Sequence, residues 1–304
     1  MGFLLMAAGS AAADTLRVGP GLYYTLPSQA AKAAKDGDTV EIAATTYAGD
    51  VAVWRQNNLT IRGVDGRPHL KAEGKSAQGK ALWVIRGANV KIENVEISGV
   101  AVPDRNGAAI RAEGQGLILD NVILHDNQMG ILESSVAGSD IIIRNSKIYD
   151  NYVRVAGRSI GHNIYIGRAR SFLLENSEVY GARKGHNVKS RAESTTILHN
   201  HIYDGDDGSA SYQIDLSNGG NVVIRGNKIE QGRQPENYGL VSYGAEKRPN
   251  PSNKLTIEYN TFINHHRDCL FVQNHIDSVN ARLIANEFKG KGRILKGKGE
   301  ILKQ

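Results

Sequence analysis

Along most of the chain, apolar side chains recur at every second residue in short segments, the pattern of strands with one buried face. The segments KIEN, LILDN, IIIRN, FLLEN, TILHN, VVIRGN, LTIEYN and RLIAN end at Asn94, Asn121, Asn145, Asn176, Asn200, Asn227, Asn260 and Asn286, at intervals of 27, 24, 31, 24, 27, 33 and 26 residues. Behind each asparagine comes a second short alternating run, such as VEI, VIL, SKI or NKI, and then a turn rich in Asp, Asn and Gly. The unit is strand, tight corner, strand. A unit of this size cannot bury its apolar side chains alone and must stack on its neighbours. The pattern predicts an all-β fold, a parallel β-helix of about ten coils, each about 4.8 Å above the last. Asparagine suits the corner because it tolerates left-handed backbone, and its amide can bond to the asparagine of the next coil.

Other repeats fit less well. Leucine-rich repeats need several Leu ahead of the Asn, and helical arrays need a 3.6-residue period. Only Ser28–Lys35 reads as helix, with Ser28 as N-cap and Gly37 near its end. That helix would cover the open N-terminal end of the stack. The expected organisation is a signal-peptide remnant over 1–13, a strand and capping helix over 14–45, the β-helix over 46–290 and a basic tail over 291–304.

Composition narrows the picture. With 304 residues, 40% hydrophobic and 34 Gly against 7 Pro, the chain is neither collagen-like nor wholly disordered. No apolar run reaches the ~18 residues of a spanning helix. The net charge of +6 is concentrated in residues 289–304, with six basic and one acidic, so the remainder is nearly neutral and nucleic acid is a poor candidate partner. Cys269 stands alone and allows no internal disulfide. The start, GFLLMAA followed by GSAAAD, has the short apolar core and small-residue cleavage region of a secretory leader but no basic segment; it predicts a secreted or periplasmic protein.

The stretch LPSQAAKAAKDGDTVEI, then TYAGD, LTIRG and the Asn-ended coils resemble the pectin-lyase-like superfamily of right-handed parallel β-helix proteins across roughly residues 15–290. The resemblance implies a carbohydrate-active protein. It does not choose among lyases, hydrolases, methylesterases, epimerases and tailspikes. The acid pair with Gly-His-Gly and Arg-Ile-Lys of polygalacturonase-like hydrolases, the Asp-Pro-His-Asp of alginate epimerases and the paired arginines of calcium-dependent pectate lyases have no counterpart here, so no catalytic residue carries over.

Candidate chemistry comes from register. In MGILES (129–134), HNIYIG (162–167), HNVKSR (186–191), YQIDLS (212–217), YGLVSY (238–243) and DCLFVQ (268–273), the residues Ile131, Ile164, Val188, Ile214, Leu240 and Leu270 would point inward and the alternate residues outward. The outward set is Asn163, Tyr165, Asn187, Lys189, Arg191, Gln213, Asp215 and Tyr243, with His162, His186, Tyr212 and Tyr238 as a ladder where the strands begin. Gly-His-Asn occurs twice, 24 residues apart. That repeat would also serve a turn and a polar ladder, and Lys189 beside Asp215 would also be a plain cross-strand ion pair.

Uronate chemistry needs cations or strong donors on the carboxylate and a base at the carbon beside it. Arg191 with Asn163, Asn187 and Gln213 could meet the first need; Lys189, His186 or His162 could be the base, and Tyr165 or Tyr212 the acid. Tyr212, Gln213, Asp215, Asn163, Asn187 and Tyr243 are the expected substrate-binding residues. No cofactor or metal motif appears, although Asp204, Asp206 and Asp207 in DGDDG are oxygen ligands of the kind Ca2+ takes, or simply an acidic loop. The expectation is a monomeric polysaccharide lyase acting by β-elimination on an acidic, uronate-containing polysaccharide. The rivals are a glycoside hydrolase pairing Asp215 with Asp206 or Asp207, a C5-epimerase, and a non-catalytic carbohydrate-binding or envelope scaffold.

Overall fold

The computed structural model describes residues 13–154, 161–205 and 208–303. The leader-like residues 1–12, Asp206 and Asp207 lie outside the described residues. Among the described residues thirty-two strands form three walls of twelve, ten and ten, and each strand pairs in parallel with its equivalents one coil before and after, those at the two ends of a wall on one side only. The first wall runs from Thr15–Val18 to Gly299–Leu302, the second from Thr46–Ala48 to Glu287–Lys289, and the third from Ala52–Trp54 to Arg293–Lys296. This is the expected β-helix of about ten coils.

Alternation sends one residue in two into the stack. Ile131, Ile164, Val188 and Ile214 are fully buried rungs of the third wall. Such an aliphatic side chain contributes about 1.5–3 kcal/mol. Beyond Ile214 the row continues through Val241 and Val272, not Leu240 and Leu270 as expected, because the register is displaced by one residue in the first of these strands and by two in the second. T-shaped Trp54 and Trp83 fill the N-terminal end, and stacked Phe262 and Phe288 the C-terminal end.

The corner between the first and second walls is built in two ways. Asn94, Asn121, Asn145 and Asn176 take left-handed φ of 53°, 54°, 53° and 48°. In later coils His199, Gly226, Tyr259 and Ala285 hold that position at φ 55°, 66°, 56° and 50°. There the asparagine stands one residue further on and points inward. Asn200 Nδ2 donates to Asn227 Oδ1 at 3.0 Å, Asn227 to Asn260 Oδ1 at 2.9 Å, and Asn260 to Asn286 Oδ1 at 2.9 Å. Asn260 Nδ2 also donates to Glu258 O at 3.0 Å, which clamps the strained Tyr259 between them. The eight asparagines therefore fall into two sets one residue apart, and the amide ladder runs through the second, since in the first Asn121 Nδ2 donates to Asn94 Oδ1 at 3.3 Å but Asn145 Nδ2 to Asp120 Oδ1.

Both chain ends depart from expectation. The helix is Pro27–Ala33, with Leu26 rather than Ser28 as N-cap; Gln29 Oε1 accepts from the Thr25 and Leu26 N–H groups and Asp50 Oδ2 from that of Ser28. Gln56 Nε2 donates to Ala31 O and Ala34 O at the other end. The basic segment is no free tail: Arg293–Lys296 and Gly299–Leu302 add the last strands of two walls. Among the described residues no helix is long and apolar enough to cross a membrane.

Candidate functional site

The third wall carries one outward row in which Leu132, Tyr165, Lys189, Asp215, Ser242 and Gln273 are successive partners. Tyr165, Lys189 and Asp215 thus share a single face. Lys189 Nζ donates to Asp215 Oδ2 at 2.7 Å and to Glu246 Oε1 at 3.2 Å. Arg191 forks onto Glu246, Nε to Oε2 at 3.0 Å and Nη2 to Oε1 at 2.5 Å, and its guanidinium stands 5.1 Å from the centre of the Tyr165 ring. Ser217 Oγ donates to Asp215 Oδ2 at 2.6 Å. The arginine fork holds the Glu246 carboxyl at a pKa of about 2.

Sequence periodicity missed Glu246. It sits in the connection after Gly239–Tyr243, where no alternation fixes its direction, and its backbone N–H donates to Ser217 O. Ser217 lies two residues after Asp215, and the same alternation that selected Asp215 could have found it.

Asn163, Asn187 and Gln213, expected to face water, are fully buried. Their rung is Leu82 and Ala109 in earlier coils and Leu240 and Phe271 in later ones, all in the core, because the chain bends inward as each strand begins. The amides bond mainly to one another and to backbone: Asn151 Nδ2 to Asn163 Oδ1 at 2.9 Å, Asn163 Nδ2 to Asn187 Oδ1 at 2.7 Å, and Asn187 Nδ2 to Gln213 Oε1 at 2.6 Å. Tyr243 is also inside, donating its hydroxyl to Gly220 O at 2.7 Å, since the one-residue displacement puts Ser242 opposite Asp215. Tyr238 leaves the ring ladder and stacks on His266; Gly239 takes its rung.

His162, His186 and Tyr212 do stack, at 4.9 and 5.5 Å between ring centres. The His162 Nδ1 accepts the His186 backbone N–H at 2.9 Å, and the His186 Nδ1 accepts that of Tyr212 at 3.2 Å. Each ring proton therefore sits on Nε2, and each basic nitrogen is occupied. Burial, reinforced for His186 by nearby Lys189, holds His162 well below its ordinary pKa and His186 at about 3. As built, these imidazoles are hydrogen-bond donors: the His186 Nε2 lies 3.4 Å from Asp215 Oδ2. The glycine of the repeated Gly-His-Asn is required by close approach, because a Cβ on Gly185 would stand 1.8 Å from Gly161 O. Asp204 is buried, accepting the N–H groups of Ala210 and Gly232, which aims its oxygens at backbone.

The chemical inventory of this face is thus a half-buried phenol, a half-buried guanidinium and an ammonium, but Lys189 and Asp215, expected to face water, are buried where they pair with each other and with Ser217 and Glu246, so of the two carboxylates only that of Glu246 is exposed. The family model described as right-handed beta helix region matches residues 153–299. No curated protein matches the chain by sequence. Among solved structures, an alginate lyase from Paenibacillus sp. strain FPU-7 superposes with a TM-score of 0.62 at 18% identity over 96% of this chain and 98% of its own. Pectate lyase Pel9A gives 0.65 at 12% over 96% and 78%, and a rhamnogalacturonan lyase 0.66 at 11% over 95% and 86%. In its walls and corners the chain thus has the right-handed parallel β-helix fold, and over residues 153–299 it matches the family model of that region.

Proposed function

We propose that this protein is a polysaccharide lyase that cleaves a uronate-containing polysaccharide by β-elimination, exported to the periplasm or medium where such polymers are met. The observation that carries the reading is the double hold on Glu246: Arg191 and the buried Lys189 together grip an exposed carboxylate beside Tyr165. A uronate carboxylate offers the same two oxygens. Bound there in place of Glu246, it would leave the charge that develops when the adjacent carbon loses its proton facing the Arg191 guanidinium and the ammonium that a neutral Lys189 amine becomes on taking that proton. Lys189 is assigned as the base at that carbon and Tyr165 as the acid that protonates the leaving glycosidic oxygen, because the imidazole nitrogens able to accept a proton are engaged by backbone. The electron pair of the broken C–H bond forms the new double bond as the C–O bond opens, so the product is an unsaturated uronate and a new chain end.

A panel of acidic polysaccharides, followed by absorbance near ~235 nm, tests this, with Lys189→Ala, Arg191→Ala and Tyr165→Phe each expected to lower turnover by at least ~100-fold. Full turnover in Lys189→Ala would remove the site from consideration. A second reading has its own support. Asp215 and Glu246 both contact Lys189 Nζ, so their carboxylates lie within about 6 Å of each other, near the spacing of a retaining glycosidase. New reducing ends without the absorbance would select it, an inverted uronate in an unbroken polymer would select epimerisation, and saturable binding without product a scaffold.

A further inference from the structure

A different wall carries a second constellation. On three consecutive strands of the second wall, His69–Lys71, Glu96–Ser98 and Ile123–His125, the side chains of His69, Glu96 and His125 converge, with one nitrogen or oxygen from each inside a span of 4.8 Å. His69 Nδ1 is 3.4 Å and His125 Nε2 3.1 Å from the same oxygen, Glu96 Oε1. Those separations match the edge of ~3.4 Å expected between ligands of a tetrahedral ion with bonds of about 2.0–2.1 Å.

The outer nitrogens are held as well. His125 Nδ1 is 2.7 Å from Asp126 Oδ2, and Arg154 anchors the other oxygen of Asp126 at 2.5 Å. His69 Nε2 lies 2.8 Å from Ser98 Oγ. A carboxylate on the far nitrogen puts the ring proton there and turns the Nε2 lone pair of His125 toward Glu96, as in carboxylate–histidine–metal arrangements. His125 is further fixed by stacking on Tyr149, 5.0 Å away and 5° from parallel.

From this juxtaposition we infer that His69, Glu96 and His125 bind one divalent transition ion of the Zn2+ class, with a fourth position open to water. A second His–Glu–His group, His201, Glu230 and His265, does not qualify: its imidazoles address opposite oxygens of Glu230, and Lys228 shares that carboxylate. The ion would join three successive coils on a wall separate from the Lys189 face, so this inference and the lyase reading stand or fall separately.

The test uses the untagged full chain, stripped with a chelator and titrated calorimetrically with Zn2+ and spectroscopically with Co2+. One ion per chain at micromolar affinity or tighter, tetrahedral Co2+ bands and a thermal midpoint that rises with Zn2+ are expected. Glu96→Gln and His125→Ala should each weaken binding at least ~10-fold, and Asp126→Asn, which touches no metal, by ~10–100-fold. Glu96→Gln keeps the side-chain shape and decides the matter should His125→Ala not fold. Absence of saturable binding by the unaltered chain, binding unchanged in Glu96→Gln, or binding that disappears with His201→Ala instead would overturn the inference.

Discussion

His186 offers Nδ1 to a backbone N–H, and that one hydrogen bond decides what the ring can do. The neutral imidazole cannot also accept a proton from a substrate without breaking the rung to Tyr212. Its folded pKa near 3 lies below the ~6.5 of an unfolded histidine, so the unfolded chain binds more protons as pH falls between those values. Stability from this group is complete above about pH 6.5 and is lost as pH drops toward the folded value, at up to about 1.4 kcal/mol per pH unit. Urea midpoints followed from neutral pH to about pH 5 should fall for the unaltered chain and fall less steeply for His186→Ala; equal slopes would mean the ring already carries charge. Glu246 adds an acid-side loss of its own only below its ordinary range near 4.5, since its folded value is about 2. At this scale the sequence was read unevenly. That Tyr165, Lys189 and Asp215 share one row was legible because a strand's alternation fixes direction, whereas the burial of Lys189 and Asp215 was not, because alternation says nothing of what packs over the row. Glu246 was not, because a connecting segment has no period.

Within each coil, the same alternation located strands and corners but misjudged where a strand begins. Asn163, Asn187 and Gln213 look outward when counted from Ile164, Val188 and Ile214; the bend preceding each strand turns them in. No periodic signal marks that bend, and amides in a corner read like amides on a surface. The burial of Asn163 and Asn187 is tolerable because neighbours and backbone satisfy them: Asn187 accepts from Asn163 Nδ2 and Ala182 N and donates to Tyr203 O and Gln213 Oε1. Asn187→Ala should therefore cost about 2–5 kcal/mol in chemical denaturation, because it strands several buried polar groups, whereas Tyr165→Phe on the outer side should stay within ~0.5 kcal/mol. A smaller loss for Asn187→Ala than for Tyr165→Phe would contradict the assignment of faces. The one-residue displacement after Ile214 was equally invisible, and it moved Tyr243 from the trough to the core.

For the molecule as a whole, stacking makes each coil depend on its neighbours and leaves the two ends as the weak points. The segment that composition suggested was a basic tail is the C-terminal lid of this stack. Its lysines and arginines flank the apolar pairs Ile294-Leu295 and Ile301-Leu302, a pattern too short and too charged to be recognised as two strands. Truncation after Gly290 should bare Val272, Leu283 and the strand edges beside them, lower the thermal midpoint and promote self-association detectable by light scattering. An unchanged midpoint with a monodisperse product would show that the final coil adds nothing. At the middle of the stack, Glu246 reaches Arg191 across 55 residues of chain and so braces separate coils against each other. A guest acid group that evicts it must also slacken the connection that carries it. Filling the trough and loosening residues 244–253 are then two faces of one equilibrium, and whatever stiffens that stretch will make the protein a poorer host.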